Sequence, residues 1–144
     1  MSTLFATTTV ATPGSFVPSA TRSRAASIGL WTLQIAVAGM FLFAGSLKLS
    51  GAEEMVRTFD VIGLGQWFRY LTGSIEVVAA LLLLTPRVSL FGALLLLPTM
   101  LGAIATHLFI VGGPPTPAVV LLAGSLVIAW FRRDQLALFG VIVH

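Results

Sequence analysis

The chain has 144 residues, 57% hydrophobic and only 9% charged, with a mean hydropathy of +1.02. A soluble domain carries about 25% charged residues, so there is too little charge here to cover a water-facing surface, and the length allows one domain without a separate soluble module. With no cysteine, disulfides, thiolate metal sites, iron–sulfur ligation and thiol–disulfide relay by this chain are excluded. The net charge of +3 comes from arginines beside apolar runs, not from a basic patch suited to nucleic acid.

Residues 1–26 are rich in Ser, Thr and Ala, contain two prolines and lack an acidic residue. They show neither helical nor strand periodicity, and are expected to form a disordered tail. Basic residues directly precede Ile28, after the Ser/Thr segment, so the first apolar run reads as a retained span rather than a cleaved signal. Four apolar runs follow, at Ile28–Leu47, Trp67–Leu84, Val88–Val111 and Thr116–Phe131. A membrane span needs about 17–25 residues; three runs reach that length and the fourth falls a residue short. The expected fold is an all-α integral membrane domain over 27–133, a four-transmembrane-helix bundle. A short C-terminal segment, 134–144, follows, in which Leu136–Val143 lies along the membrane surface.

Between the first two runs, Ser50-Gly-Ala-Glu53 has the pattern of a capping box. Met55, Val56, Phe59 and Ile62 then recur at helical spacing among Glu54, Arg57 and Asp60. This predicts a short amphipathic helix in the interface, stopped by Gly63 and Gly65. Trp67 and Tyr70 mark the boundary where the second span enters. Thr85-Pro86-Arg87 makes the next connection very short. Pro98 removes one hydrogen bond inside the third span, and a glycine–proline turn at 112–117 separates it from the fourth. Arg22, Arg24, Arg87, Arg132 and Arg133 fall on one side of a four-span chain, and Lys48, Arg57 and Arg69 on the other. Five cations against three place both termini in the cytoplasm, and the expected location is the bacterial inner membrane.

Polar and small residues sort onto single helix faces. Gln34, Ala38, Phe41, Gly45 and Lys48 share a face of the first span; Arg69, Thr72 and Glu76, then Ala79 and Ala80, share one of the second. Thr99, Ala103 and His107 share one of the third, with Gly102 and Thr106 beside it. These stripes are expected to meet in the bundle interior. Glu76 lies ten residues past Gln66, about 15 Å along the helix and near mid-membrane. A carboxylate at that depth either takes up a proton or pairs with a cation, for which Lys48 and Arg69 are the candidates, and it marks a functional site by default. The alternative is a structural pair that fixes helix register. Histidine suits proton exchange near neutral pH, although His107 equally suits a structural bond to a hydroxyl or carbonyl. Depth alone lets Glu76, His107, Lys48 and Arg69 line one outward-opening cavity. Arg69 is expected to snorkel to the interface. Phe41, Phe43, Trp67 and Phe68 read as packing or interface residues before ligand-stacking ones. One His and one Glu make an incomplete metal set, so no metal site is expected.

The chain resembles the DoxX-like family of small four-span membrane proteins. The resemblance rests on Phe43-Ala-Gly45-Ser-Leu-Lys48-Leu49, on Phe59-Asp-Val-Ile-Gly63 running through Arg69-Tyr70-Leu-Thr-Gly73-Ser-Ile-Glu76, and on His107-Leu-Phe-Ile-Val-Gly-Gly113. It covers about Ile28 to Arg133. It implies redox association: some members are membrane subunits of thiosulfate:quinone oxidoreductase or quinol oxidase systems, and others work with thiol-handling or oxidative-stress partners. Family matching carries over Lys48, Glu76 and His107 as site residues, but not an activity. The chain supplies no electron carrier of its own. The first reading is therefore a redox-linked subunit with a bound quinone, held by Glu76 and His107 within a set that includes Lys48, Arg69 and Gln34. A small permease using Glu76 for proton coupling is a second reading. A non-catalytic accessory or assembly subunit is a third. All three imply the lipid bilayer as a partner and either a homo-oligomer or a larger membrane complex.

Overall fold

A computed structural model describes residues 24–139, and every regular element among them is a helix. Helix α1 (Arg24–Ser50) is followed by the short α2 (Glu53–Ile62) and then α3 (Gln66–Leu84). Helix α4 (Ser89–Thr106) runs on into a wide π-helical turn, His107–Val111. Helix α5 (Thr116–Phe131) leads to a 3-10 segment, Arg133–Phe139. Most of the expected tail, residues 1–23, lies outside the described residues, as does the end of the apolar C-terminal stretch; Arg24, Ala25 and Ala26 already belong to α1.

Among the described residues, three helices are long and apolar enough to cross a membrane: α1, α3, and α4 with its π turn. Helix α5 is apolar but shorter, at 16 residues. The helices pack in a closed ring, α1 on α3, α3 on α4, α4 on α5 and α5 back on α1. Gly45 meets Gly73 near one end while Gln34 meets Leu83 near the other, so α1 and α3 are antiparallel. The core is a column of Val37, Ala38, Phe41, Ala79, Ala80, Leu83, Ala93, Leu96 and Ile128. Many large apolar side chains, among them Ile35, Met40, Phe43, Val78, Leu81, Leu101 and Trp130, point outward. An apolar exterior around a tight interior suits lipid as the solvent.

Helix α2 forms where the pattern places it, but without the capping box. Helix α1 continues through Ser50, whose hydroxyl donates back to the Leu47 carbonyl at 3.2 Å. The N-cap is then Ala52, with no side-chain bond, and Glu53 pairs with Arg57 instead. The buried face of α4 also departs from expectation. Ser89, Gly92, Ala93, Leu96 and Met100 turn inward, while Gly102 is exposed and Thr99 and His107 are only half-buried. Of the expected stripe only Ala103 packs against the core. The tight α3–α4 turn is responsible: Gly92 seats directly on the α3 backbone, and helical period then carries the contact face through Leu96 and Met100.

The N-terminus of α4 is closed by a distant side chain. Gln135 accepts from the Leu90 N–H at 3.0 Å through Oε1, and donates through Nε2 to the Pro86 carbonyl and to Ser89 Oγ. Backbone donors in a helix's first turn have no partner within the helix, and this side chain supplies one across 45 residues of sequence. Gln135→Ala strands buried polar groups and is expected to cost about 2 kcal/mol, read as a lower midpoint for thermal unfolding in detergent.

Candidate functional site

Helices α1 and α3 cross on a pair of glycines, and the site sits just beyond that crossing. A Cβ on Gly45 would lie 2.8 Å from Val77 Cγ2 and 3.0 Å from the Gly73 carbonyl oxygen. One on Gly73 would lie 2.9 Å from Lys48 Cβ. Only hydrogen at both positions lets the backbones meet this closely. The Lys48 stem runs through the gap, so its ammonium points inward along α3 rather than outward to the surface.

There it meets Glu76. Lys48 Nζ lies 2.8 Å from Oε2 and 3.1 Å from Oε1, and it donates to both. Glu76 is 2% exposed, while the Lys48 side chain keeps 15% exposure. Of the two cations proposed as its partner, Lys48 takes the role. An ammonium has three donors and an ionised carboxylate about four acceptor positions. The pair satisfies two donors and two acceptors through each other, and Lys48 is the more exposed of the two.

Arg69 does not snorkel. It is 3% exposed, and its guanidinium lies 4.2 Å over the Tyr70 ring. Nε donates to Gln66 Oε1 at 2.6 Å and Nη1 donates to the Lys48 carbonyl. The carbonyls of a helix's last turn lack partners within the helix, and the exposed end of α1 offers Arg69 one within reach. Gln66 in turn donates to the Val56 carbonyl at 3.0 Å and to Asp60 Oδ1 at 2.6 Å. Phe59, buried on α2, packs on Phe68 with ring centroids 5.9 Å apart. Helix α2 is thus tied by Gln66 and Arg69 to the turn of α1 that carries Lys48. Arg69→Met is expected to cost about 2 kcal/mol and to speed amide exchange in the last turn of α1, measured by mass spectrometry.

The remaining candidates lie elsewhere. His107 is half-buried in the π turn, with Nδ1 3.2 Å from the Gly112 carbonyl oxygen, and among the described residues it makes no hydrogen bond to Glu76. The wide turn closes on its own glycine and draws the imidazole into a local bond. A surface groove of about 460 Å³ between α2 and this turn is lined by Glu53, Glu54, Arg57, Thr58, Val61 and Val111, and includes neither residue. Gln34 belongs to the opposite end of the bundle. It is fully buried, donates to the Leu83 carbonyl at 2.7 Å, and accepts from Arg132 Nη2 at 2.6 Å and Nε at 3.1 Å. Phe41 is core, whereas Phe43 and Trp67 face outward.

Sequence reasoning missed Gln66, Gln135 and Arg132 as partners of buried groups. The available signal was their rarity: in a chain this apolar, each polar side chain near a helix end has a backbone group to satisfy. Residues 32–131 match the model of the DoxX-like family. No curated protein and no solved structure matches the chain.

Proposed function

The chain belongs to the DoxX-like family, and from that membership and the buried Lys48–Glu76 pair we propose a redox-linked membrane subunit that holds a quinone or quinol. It is a multi-pass membrane protein. In this reading α5 crosses as the fourth span, its shortfall met by local thinning of the bilayer. Helix α2 lies in the interface, with Glu53, Glu54, Arg57 and Asp60 outward. The end bearing Arg24, Arg87, Arg132 and Arg133 is cytoplasmic, in a bacterial inner membrane.

One observation carries the ligand assignment. Lys48 uses two of its three donors on Glu76 and is the more exposed partner. A ring carbonyl is a hydrogen-bond acceptor and suits the third donor, while the spare carboxylate positions suit a quinol hydroxyl. The chain has no cysteine for a redox relay, so in this reading electrons come from a cofactor or a partner protein. His107, bonded to the Gly112 carbonyl, is not a direct ligand in this reading. The bidentate geometry of the pair also favours the accessory-subunit reading, in which it only fixes helix register.

The test is binding of a short-chain ubiquinone analogue to the purified protein in lipid nanodiscs. Wild type and Glu76→Gln are compared, with everything co-extracted identified by mass spectrometry. Retention by wild type and at least tenfold weaker binding by the variant is expected. Equal binding by two equally folded proteins removes the quinone reading and leaves the accessory one.

A further inference from the structure

The two ends of the bundle treat their cations differently. At the Lys48 end, Lys48 pairs with Glu76, Arg57 pairs with Glu53, and Arg69 is buried under its own hydrogen bonds. At the other end, Arg24, Arg87, Arg132 and Arg133 stand against a single acid, Asp134. Arg24, Arg87 and Arg133 are exposed, and none forms an ion pair with a described carboxylate.

The structure also brings these groups together. Gln135 holds the Pro86 carbonyl, which sets the Arg87 turn beside the segment carrying Arg133. Arg132 reaches α1 through Gln34. Two of the guanidiniums lie over indole rings: Arg133 is 4.4 Å from the Trp130 centroid and Arg132 is 5.5 Å from that of Trp31. Trp130 is 66% exposed on the apolar flank of α5. Tryptophan sits at the level of lipid headgroups, so the stacked Arg133 is held at phosphate depth with less freedom to lose on binding.

We propose that this end is a binding surface for anionic phospholipid headgroups, with Arg87 and Arg133 as the phosphate-contacting residues and Trp130 as the anchor beside the glycerol backbone. Guanidinium is matched to phosphate oxygens by its paired donors. The charge asymmetry makes the preference one-sided, because the carboxylates Glu53, Glu54 and Asp60 repel the same lipids at the Lys48 end. The surface is independent of the quinone reading, and its contact residues Arg87, Arg133 and Trp130 are not among those of the Lys48–Glu76 site.

The full chain is exchanged into mixed micelles holding equal amounts of phosphatidylglycerol and phosphatidylcholine with identical acyl chains, and bound lipids are counted by native mass spectrometry. Wild type is expected to retain phosphatidylglycerol in excess. A basic residue near an anionic surface contributes about fivefold in affinity, so Arg87→Gln/Arg133→Gln should lose the preference by more than tenfold. Arg57→Gln, at the opposite end, should keep it. Melting in phosphatidylcholine alone is expected to be unchanged for both variants. If the double variant does not fold, Arg87→Lys/Arg133→Lys is used, and raising the salt must erase its preference. Equal retention of the two lipids by wild type overturns the proposal, as does retention that survives the double substitution. Displacement of the lipid by millimolar inorganic phosphate assigns the site to free phosphate and overturns it as well.

Discussion

Lys48→Met is expected to destabilise the bundle by about 3–5 kcal/mol, the cost of leaving one member of a buried ion pair without its partner. Glu76 lies eight residues from Leu84 and ten from Gln66, so it has no nearby helix end at which to meet water. Among the described residues, no other cation forms an ion pair with it. The reciprocal change is milder. In Glu76→Gln the freed Lys48 is two residues from the end of α1, and its long stem lets the ammonium swing outward. The loss there is about 1–3 kcal/mol. Removing both charges, as in Lys48→Met/Glu76→Leu, should recover most of the stability, because apolar replacements of a buried pair are often neutral. Denaturant titration in detergent micelles reads all three. Equal losses for the two single variants would show that Lys48 does not relax outward. Stability and ligand binding then separate: the double variant is expected to fold and still fail to retain the quinone analogue. Retention by the folded double variant would confine the pair to a structural role.

Gly92→Ala is the second large effect. The added Cβ would sit 2.6 Å from the Ala79 carbonyl oxygen and 2.7 Å from the Leu83 backbone nitrogen. Both are main-chain atoms of α3, so neither turns aside and the helices must separate. Overpacking of this kind costs about 1–3 kcal/mol. The upper part of that range is expected, because Leu83 also accepts the Gln34 bond that ties α1 to the same end. Gly102→Ala is the control. It meets nothing within 4 Å, and alanine's helix propensity should raise stability by up to about 1 kcal/mol. Opposite signs for two Gly→Ala changes in one helix, read by thermal unfolding, would confirm that α4 packs through Gly92.

The apolar runs were legible because lipid imposes a length and a composition on any spanning helix. Gln34, Ala38, Phe41 and Gly45 could be assigned to the inner face of α1 because helical period is local, and all four are buried. The same reasoning failed on α4. Its inward face is chosen by the seat of Gly92 on α3, not by where its polar residues fall. It failed again on Arg69, for which an exposed carbonyl at the end of α1 outcompetes water.

By itself the sequence determined the helical membrane character, the breaks between helices, and the presence of a carboxylate near mid-span that must either take up a proton or meet a cation. These follow from local period, residue volume and the absence of water from lipid, and none depends on which helix lies beside which. Only the tertiary structure decided that Lys48, not Arg69, meets Glu76, that His107 turns to Gly112, and that Gln34 and Gln135 close the opposite end. Each of those choices is a distance between groups brought together by the fold. Distances of that kind are set by helix crossings, here the Gly45–Gly73 contact and the seat of Gly92, whose geometry has no periodic signature.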